Sequence, residues 1–420
     1  MRTSAWFILS LLFLPGFDMV PGHRPLLRWT STRGSRLTRK WIITLILGVG
    51  GFAIPTGQAG ERQSKPEVGP TGVIVQTQFG GQIFGFDIDQ TSNQGILCEA
   101  QTLDNNRIHA AIETFDQRTG AIIKIIRETQ THDDFITLGV VGNSVGLVER
   151  EHSTGGLRVT RTFNTLDPLR RNRLTGEWTP PVGTDHLVTQ VSRSQGTPSV
   201  AVYALDLSSH FRPTLFTSDV GANTFGPVVS IADQDFVNGG DPPMAYDSAM
   251  NRAVLGHATL GNPFIPGKIA TVDLTTGAFV KFTGVGLGDV NGIAVDPETG
   301  TACTTTEIDF SVEFYNLATQ SGSVQPLPGA FNQIFSGADV QFDPVNRLFL
   351  VAQPVSSTAG SGSSIHVYDV AGNLIESING LNFSNAGNVV PAHIALNPRK
   401  RIGFVDGPDP GVSQIQSFTY

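Results

Sequence analysis

Five side chains able to hold a metal ion or a proton stand just before or at the start of short apolar runs. Asp241 precedes Met244, Asp289 and Asn291 precede Gly292, Asp339 precedes Val340 and His393 precedes Ile394. Carboxylate and amide oxygens beside an imidazole are the groups that bind a hard cation such as Ca²⁺. They act together only if the chain carries the starts of these distant runs to one place. Without that convergence the five are polar residues that cap strand ends and solvate a channel.

The elements that must position them are visible as a repeat. Gly292-Ile293-Ala294-Val295-Asp296-Pro297 is its cleanest copy, followed by a turn at Gly300 and a second apolar run. Val340 to Pro344, Met244 to Asp247, Ile394 to Pro398 and Phe86 to Asp89 begin further copies. Short β-rich runs hinged on Asp, Asn and Gly predict hairpins. A second hinge recurs further on, in Asp116 to Gly120, Asp273 to Gly277, Asn316 to Gly322 and Asp369 to Gly372, so two hairpins make a four-stranded unit. Between residues 130 and 240 the first-strand pattern decays, and Asp167 and Asp206 are taken as the second hinges. The hinges at 116, 167, 206, 273, 316 and 369 average about fifty residues apart, the period of propeller blades. Six units are complete. Residues 394–420 supply three strands and residues 73–79 an orphan one. Pairing the orphan with residues 414–420 completes a seventh blade, so the expected fold is an all-β propeller of seven four-stranded blades, with six or eight as the alternatives.

At the copies around Gly292, Val340 and Ile394 the sequence resembles the bacterial seven-bladed propellers of the surface-layer and lactonase-like type, including the YVTN-repeat proteins. Their blades begin apolar-apolar-Asp-Pro, then Gly and an apolar strand, as Ile293 to Pro297 do. The Tyr-Val-Thr-Asn strand itself is missing, and Ala302-Cys303-Thr304-Thr305-Thr306 stands in its place. Asn291-Gly292 also resembles the Asn-Gly of calcium-dependent lactonases of the gluconolactonase type, which implies a bound Ca²⁺ and no other cofactor. Counted back from Asp296 and Asp343, however, Asp339 aligns with Gly292 and not with Asn291, so the rest of that metal set does not follow. Propellers serve as enzymes, binding modules and scaffolds alike.

Other chemistry is thinly represented. Cys98 and Cys303 each stand three residues after a glycine, in the first and fifth units. They are expected on different sectors, beyond the ~7 Å Cα separation that a bridge allows, as buried thiols with no disulfide. There is no CxxC and no paired His/Cys spacing for zinc. There is no Gly-x-Ser-x-Gly elbow, and Glu149-Arg150-Glu151-His152 lacks a second His at helical spacing. Those charges are expected on an exposed strand edge, where they discourage pairing. Gly360-Ser361-Gly362-Ser363-Ser364 follows no strand-to-helix pattern and is loop.

Composition bounds the rest. With 47 Gly and 25 Pro among 420 residues, 40% hydrophobic and 15% charged, the chain suits a turn-rich β protein and is too apolar for disorder. Residues 5–17 and 41–54 are apolar and flank six basic residues from Arg24 to Lys40. The second run, followed by Gly57 and Ala59, predicts an export signal cut after Ala59, and neither run reaches the ~20 residues of a spanning helix. An uncleaved anchor is the alternative, and the residues before Met19 fit a misassigned start. A linker at 60–70 and one domain at 71–420 follow. Without residues 1–59 the chain keeps 21 basic and 35 acidic residues, so its formal charge moves from −8 to −14. That balance argues against nucleic acid and against anionic membranes. The expected product is a secreted, periplasmic or envelope monomer, a non-catalytic binding or scaffold domain whose partner is a protein, glycan or small molecule. The alternative is a propeller hydrolase of a lactone or related ester.

Overall fold

In a computed structural model, residues 67–420 are described apart from short stretches, the longest of them 234–241, 257–265, 329–338, 355–362 and 384–392. For residues 133–178 the description covers the backbone alone. The segments read as an export signal, and Asp241 and Asp289, lie outside the described residues. Among the described residues no helix is long and apolar enough to cross a membrane.

The described strands form six four-stranded sheets and one five-stranded sheet, all antiparallel. The first is β2 (Gln82–Ile88), β3 (Gln94–Thr102), β4 (Ile108–Asp116) and β5 (Ile122–Thr129). The second is β6 (Asp133–Val141), β7 (Val145–Thr154), β8 (Arg158–Asp167) and β9 (Arg173–Trp178). In the third, β10 (His186–Arg193), β11 (Ser199–Asp206) and β12 (Arg212–Asp219) are followed by two short strands, β13 (Thr224–Phe225) and β14 (Val229–Ser230), that both pair with β12. The fourth is β15 (Met244–Asp247), β16 (Arg252–Gly256), β17 (Pro266–Asp273) and β18 (Phe279–Leu287). The fifth is β19 (Val290–Asp296), β20 (Thr301–Thr306), β21 (Ser311–Asn316) and β22 (Ser321–Pro326). The sixth is β23 (Val340–Asp343), β24 (Leu348–Gln353), β25 (Ser363–Asp369) and β26 (Leu374–Leu381). The remaining sheet joins β1 (Gly69–Gln76) to β27 (Ile394–Asn397), β28 (Ile402–Asp409) and β29 (Val412–Thr419), in the order β1-β29-β28-β27.

The hinge residues shape the hairpins by accepting turn amides. Asp116 Oδ1 accepts from Arg118 N and Thr119 N at 2.8 and 3.1 Å, and Asp273 Oδ1 from Thr275 N and Thr276 N at 2.8 and 2.7 Å. Asn316 and Asp369 repeat the arrangement, and Asp247, Asp296 and Asp343 do it at the first hinge. A short acceptor at the turn start mimics the backbone carbonyl and fixes the reversal. The turn then needs a left-handed residue, supplied by Gly120, Gly277 and Gly372. The fifth sheet uses Gln320 there, at φ 55°.

The core lies between successive sheets. Phe86, Leu97 and Phe115 meet Val75, Phe404 and Ile415 of the sheet holding β1. Leu350, Ile365 and Ile378 meet Ile394, Val405 and Phe418 on that sheet's other face. Similar clusters fill the gaps between the third and fourth, fourth and fifth, and fifth and sixth sheets. Gly95 and Gly403 lie opposite Phe115 and Phe418, and a Cβ at either would fall inside the facing ring.

Three expectations are corrected. Asp206 ends β11, the second strand of its sheet, because residues 199–206 run away from the hinge; the third strand ends at Asp219, 52 residues after Asp167 and 54 before Asp273. The strand carrying Glu149, Glu151 and His152 is interior, since β7 pairs with both β6 and β8, and is no edge. Cys98 and Cys303 are both buried and not bridged to each other, but occupy different registers. Cys98 lies four residues beyond Gln94, which pairs with Asp116, and Cys303 only two beyond Thr301, which pairs with Asn316.

Candidate functional site

Asp339 and His393 take the same place in adjacent sheets, four residues before the hinge residues Asp343 and Asn397. Each carbonyl extends the pairing of its inner strand by one bond, accepting from Ala352 N at 2.9 Å and from Asp406 N at 3.2 Å. The matching residues of the fourth and fifth sheets are Pro243 and Gly292. Neither brings a side-chain ligand to the position.

Asp339 is consumed by backbone. Its Oδ1 accepts from Val340 N at 2.8 Å, and its Oδ2 accepts from Ile394 N of the neighbouring sheet at 2.8 Å and from Gln341 Nε2 at 3.2 Å. Burial raises its pKa, against the pull of His393 and these donors. His393 is held from behind by Asp406 on β28, whose carboxylate is fully buried. The His393 amide donates to Asp406 Oδ1 at 2.6 Å, and Nδ1 lies 3.4 Å from Oδ2. Burial alone works against the imidazolium, but Asp406, with Asp339 behind it, lifts the His393 pKa to about 9. The ring keeps 35% of its side-chain surface open.

Asn291 is half-buried and arises from a bulge. The pairing of β19 with β20 slips between Val290 and Gly292, leaving Asn291 as the extra residue. The inner strands β2, β6 and β10 slip in the same manner at Phe84, Leu138 and Thr189. The bulge is thus a recurrent backbone feature filled by four unlike residues, with no shared ligand chemistry. Of the five candidates, the structure joins Asp339 to His393 and sets Asn291 apart. Among the described residues no group of three or more His, Cys, Asp or Glu is arranged to hold a metal ion.

The Asp406-His393-Asp339 cluster can tie two sheets and present a cation. At neutral pH it is a poor general base, because the imidazole keeps its proton. Asp406 was hidden in the sequence as one more residue after an apolar pair, Phe404-Val405. Two further titratable clusters carried no motif. Arg193 of the third sheet pairs with Asp87 of the first at 2.8 Å, and Glu99 and Glu113 are buried together on β3 and β4.

No protein-family model and no curated protein matches the chain. Among solved structures it is similar to the crystal structure of Raptor from Chaetomium thermophilum, with a TM-score of 0.53 and 12% identity over 83% of this chain. The chain spans 29% of the length of that protein. At that identity the likeness is one of fold. The chain is a β-propeller of four-stranded blades. Its function has to be read from its own residues.

Proposed function

We propose that this propeller is a non-catalytic binding or scaffold domain, exported by its N-terminal segment, with seven blades closed into a ring by β1. The observation that supports the non-catalytic reading is the use of Asp339 and Asp406. Asp339, at an inner-strand start, is spent on amides of its own blade and of the next, and Asp406, on β28 of that next blade, is spent on the amide and ring of His393. A catalytic or metal-binding carboxylate needs free lone pairs toward the substrate or ion. The ring reading draws support from the core clusters between successive sheets and from the pairing of β1 with β29, in which Val75 faces Ile415 and Gln76 faces Gln414. The strand spans residues 69–76, so residues 77–79 are connector.

The test is calcium and substrate together. The purified full chain should show no hydrolysis of simple lactones or aryl esters above background, with or without Ca²⁺. Its melting temperature should be the same in Ca²⁺ and in chelator. A Ca²⁺-dependent rise in melting temperature that disappears in Asn291→Ala or Asp289→Ala would install the lactonase-type hydrolase in its place, since a ligand that binds only the native state stabilises it by mass action. Intact mass of exported material beginning near Gly60 checks the cleaved signal.

A further inference from the structure

Residues 77–81 connect β1, which lies in the last sheet, to β2, which begins the first. Their amides are held by two carboxyl groups. Phe79 N donates to Glu99 Oε1 at 3.0 Å, Gly81 N to Glu99 Oε2 at 2.8 Å, and Gln78 N to Glu113 Oε2 at 3.3 Å. Glu99 is 1% exposed and Glu113 is fully buried. Glu113 Oε1 meets no donor among the described residues, and Glu99 is its diagonal neighbour on the adjacent strand. Two buried neighbouring carboxyls cannot both carry charge at low cost, which favours one shared proton.

The same place does the same work elsewhere. Glu113 lies three residues before Asp116, the third-strand partner of Gln94. Its counterpart in the last sheet is Gln416, three before Thr419, and Gln416 grips the connector that leaves β26. Its Oε1 accepts from Asn382 N at 2.9 Å and its Nε2 donates to Asn382 O at 2.6 Å. In the sixth sheet the positions of Glu99 and Glu113 are filled by Gln353 and His366, which bond to each other. In the first and last sheets this third-strand position clasps the connector of the preceding sheet. At the join between the chain's two ends, an acid pair replaces the neutral amide.

We propose that Glu99 and Glu113 form a proton-dependent latch on the connector of β1, closed while they share a proton and loosened when Glu113 gives it up to solvent. Burial first, then the neighbouring Glu99, raises the Glu113 pKa to about 8. Titratable groups on the elements around the latch have partners of their own, and β3 and β4 also carry Cys98 and Asp116. His109 on β4 pairs with Glu128 on β5 at 2.9 Å and packs on Phe79, Asp87 on β2 pairs with Arg193, and Asp406 on β28 holds His393. β5 also carries Lys124 and Arg127, and β6 carries Asp133 and Asp134, while β1 and β29 carry no titratable side chain.

Because the folded pKa is raised above the ordinary carboxylate value, the latch is strongest below about 4.5 and its contribution is lost as pH rises through about 8. Amide exchange of Gln78, Phe79 and Gly81 in the full chain, corrected for the base catalysis of exchange itself, should speed about tenfold between pH 7 and pH 9. In Glu113→Gln the side-chain amide donates to Glu99 at every pH, and the same amides should change by less than about twofold. Exchange around residues 393–406 reports His393 and keeps that titration separate. A flat wild-type profile at residues 78–81 overturns the proposal even if the variant fails to fold. Equal acceleration in the variant overturns it as well.

Discussion

His393 carries its charge because Asp406 is buried behind it and has no other cation to pair with among the described residues. The raised pKa means that the folded chain holds a proton the unfolded chain releases. The ion pair therefore contributes fully below about 6.5 and fades as pH rises through about 9. With a third of the ring open to water, its worth is held to about 1 kcal/mol. Denaturant unfolding of wild type and His393→Gln should differ by about that amount at pH 6, and the gap should narrow by pH 9.5. A gap that widens with pH would mean that the imidazole is neutral in the folded state. Asp339 and His393 were legible as polar residues at strand starts. That Asp339 would be spent on the neighbouring sheet and His393 on Asp406 was not, because Asp406 lies on the next strand with no motif to mark it.

Hairpins are where sequence and structure agree most closely, for a local reason. Asp or Asn at a turn start binds amides two and three residues on, so the signal sits in one short stretch of chain. The signal failed at Asp206, which looks like a hinge yet ends the second strand of its sheet, while Asp219 ends the third. Strand direction is a property of the sheet, and a lone Asp does not record it. The bulge at Asn291 was equally unreadable, since it depends on the register with Thr305 and Thr306. The fifth sheet offers a test of the hinge account. Gln320 occupies the left-handed place that Gly takes in three other turns. Gln320→Gly should raise stability by about 0.5–1 kcal/mol through relief of that conformation, read as a higher melting temperature. An unchanged or lower value would show that the turn tolerates Gln320 without strain.

At the scale of the molecule, β1 completes the sheet that ends in β29. β29 pairs with β28 on one side and β1 on the other, so removing β1 exposes a row of unpaired backbone groups along residues 414–419. It also strips Val75, fully buried, from the core between the last sheet and the first. The composition and repeat period predicted the four-stranded blades, whereas this long-range pairing left no trace beyond one orphan apolar run and one incomplete unit. The direct measurement is the melting temperature of the full chain beside a chain lacking residues 60–80. Loss of the strand and of its buried contacts should cost at least about 3 kcal/mol, lower the melting temperature by many degrees and promote aggregation along the exposed edge. A deleted chain that melts with the parent and stays monomeric would contradict the proposed closure of the ring by β1.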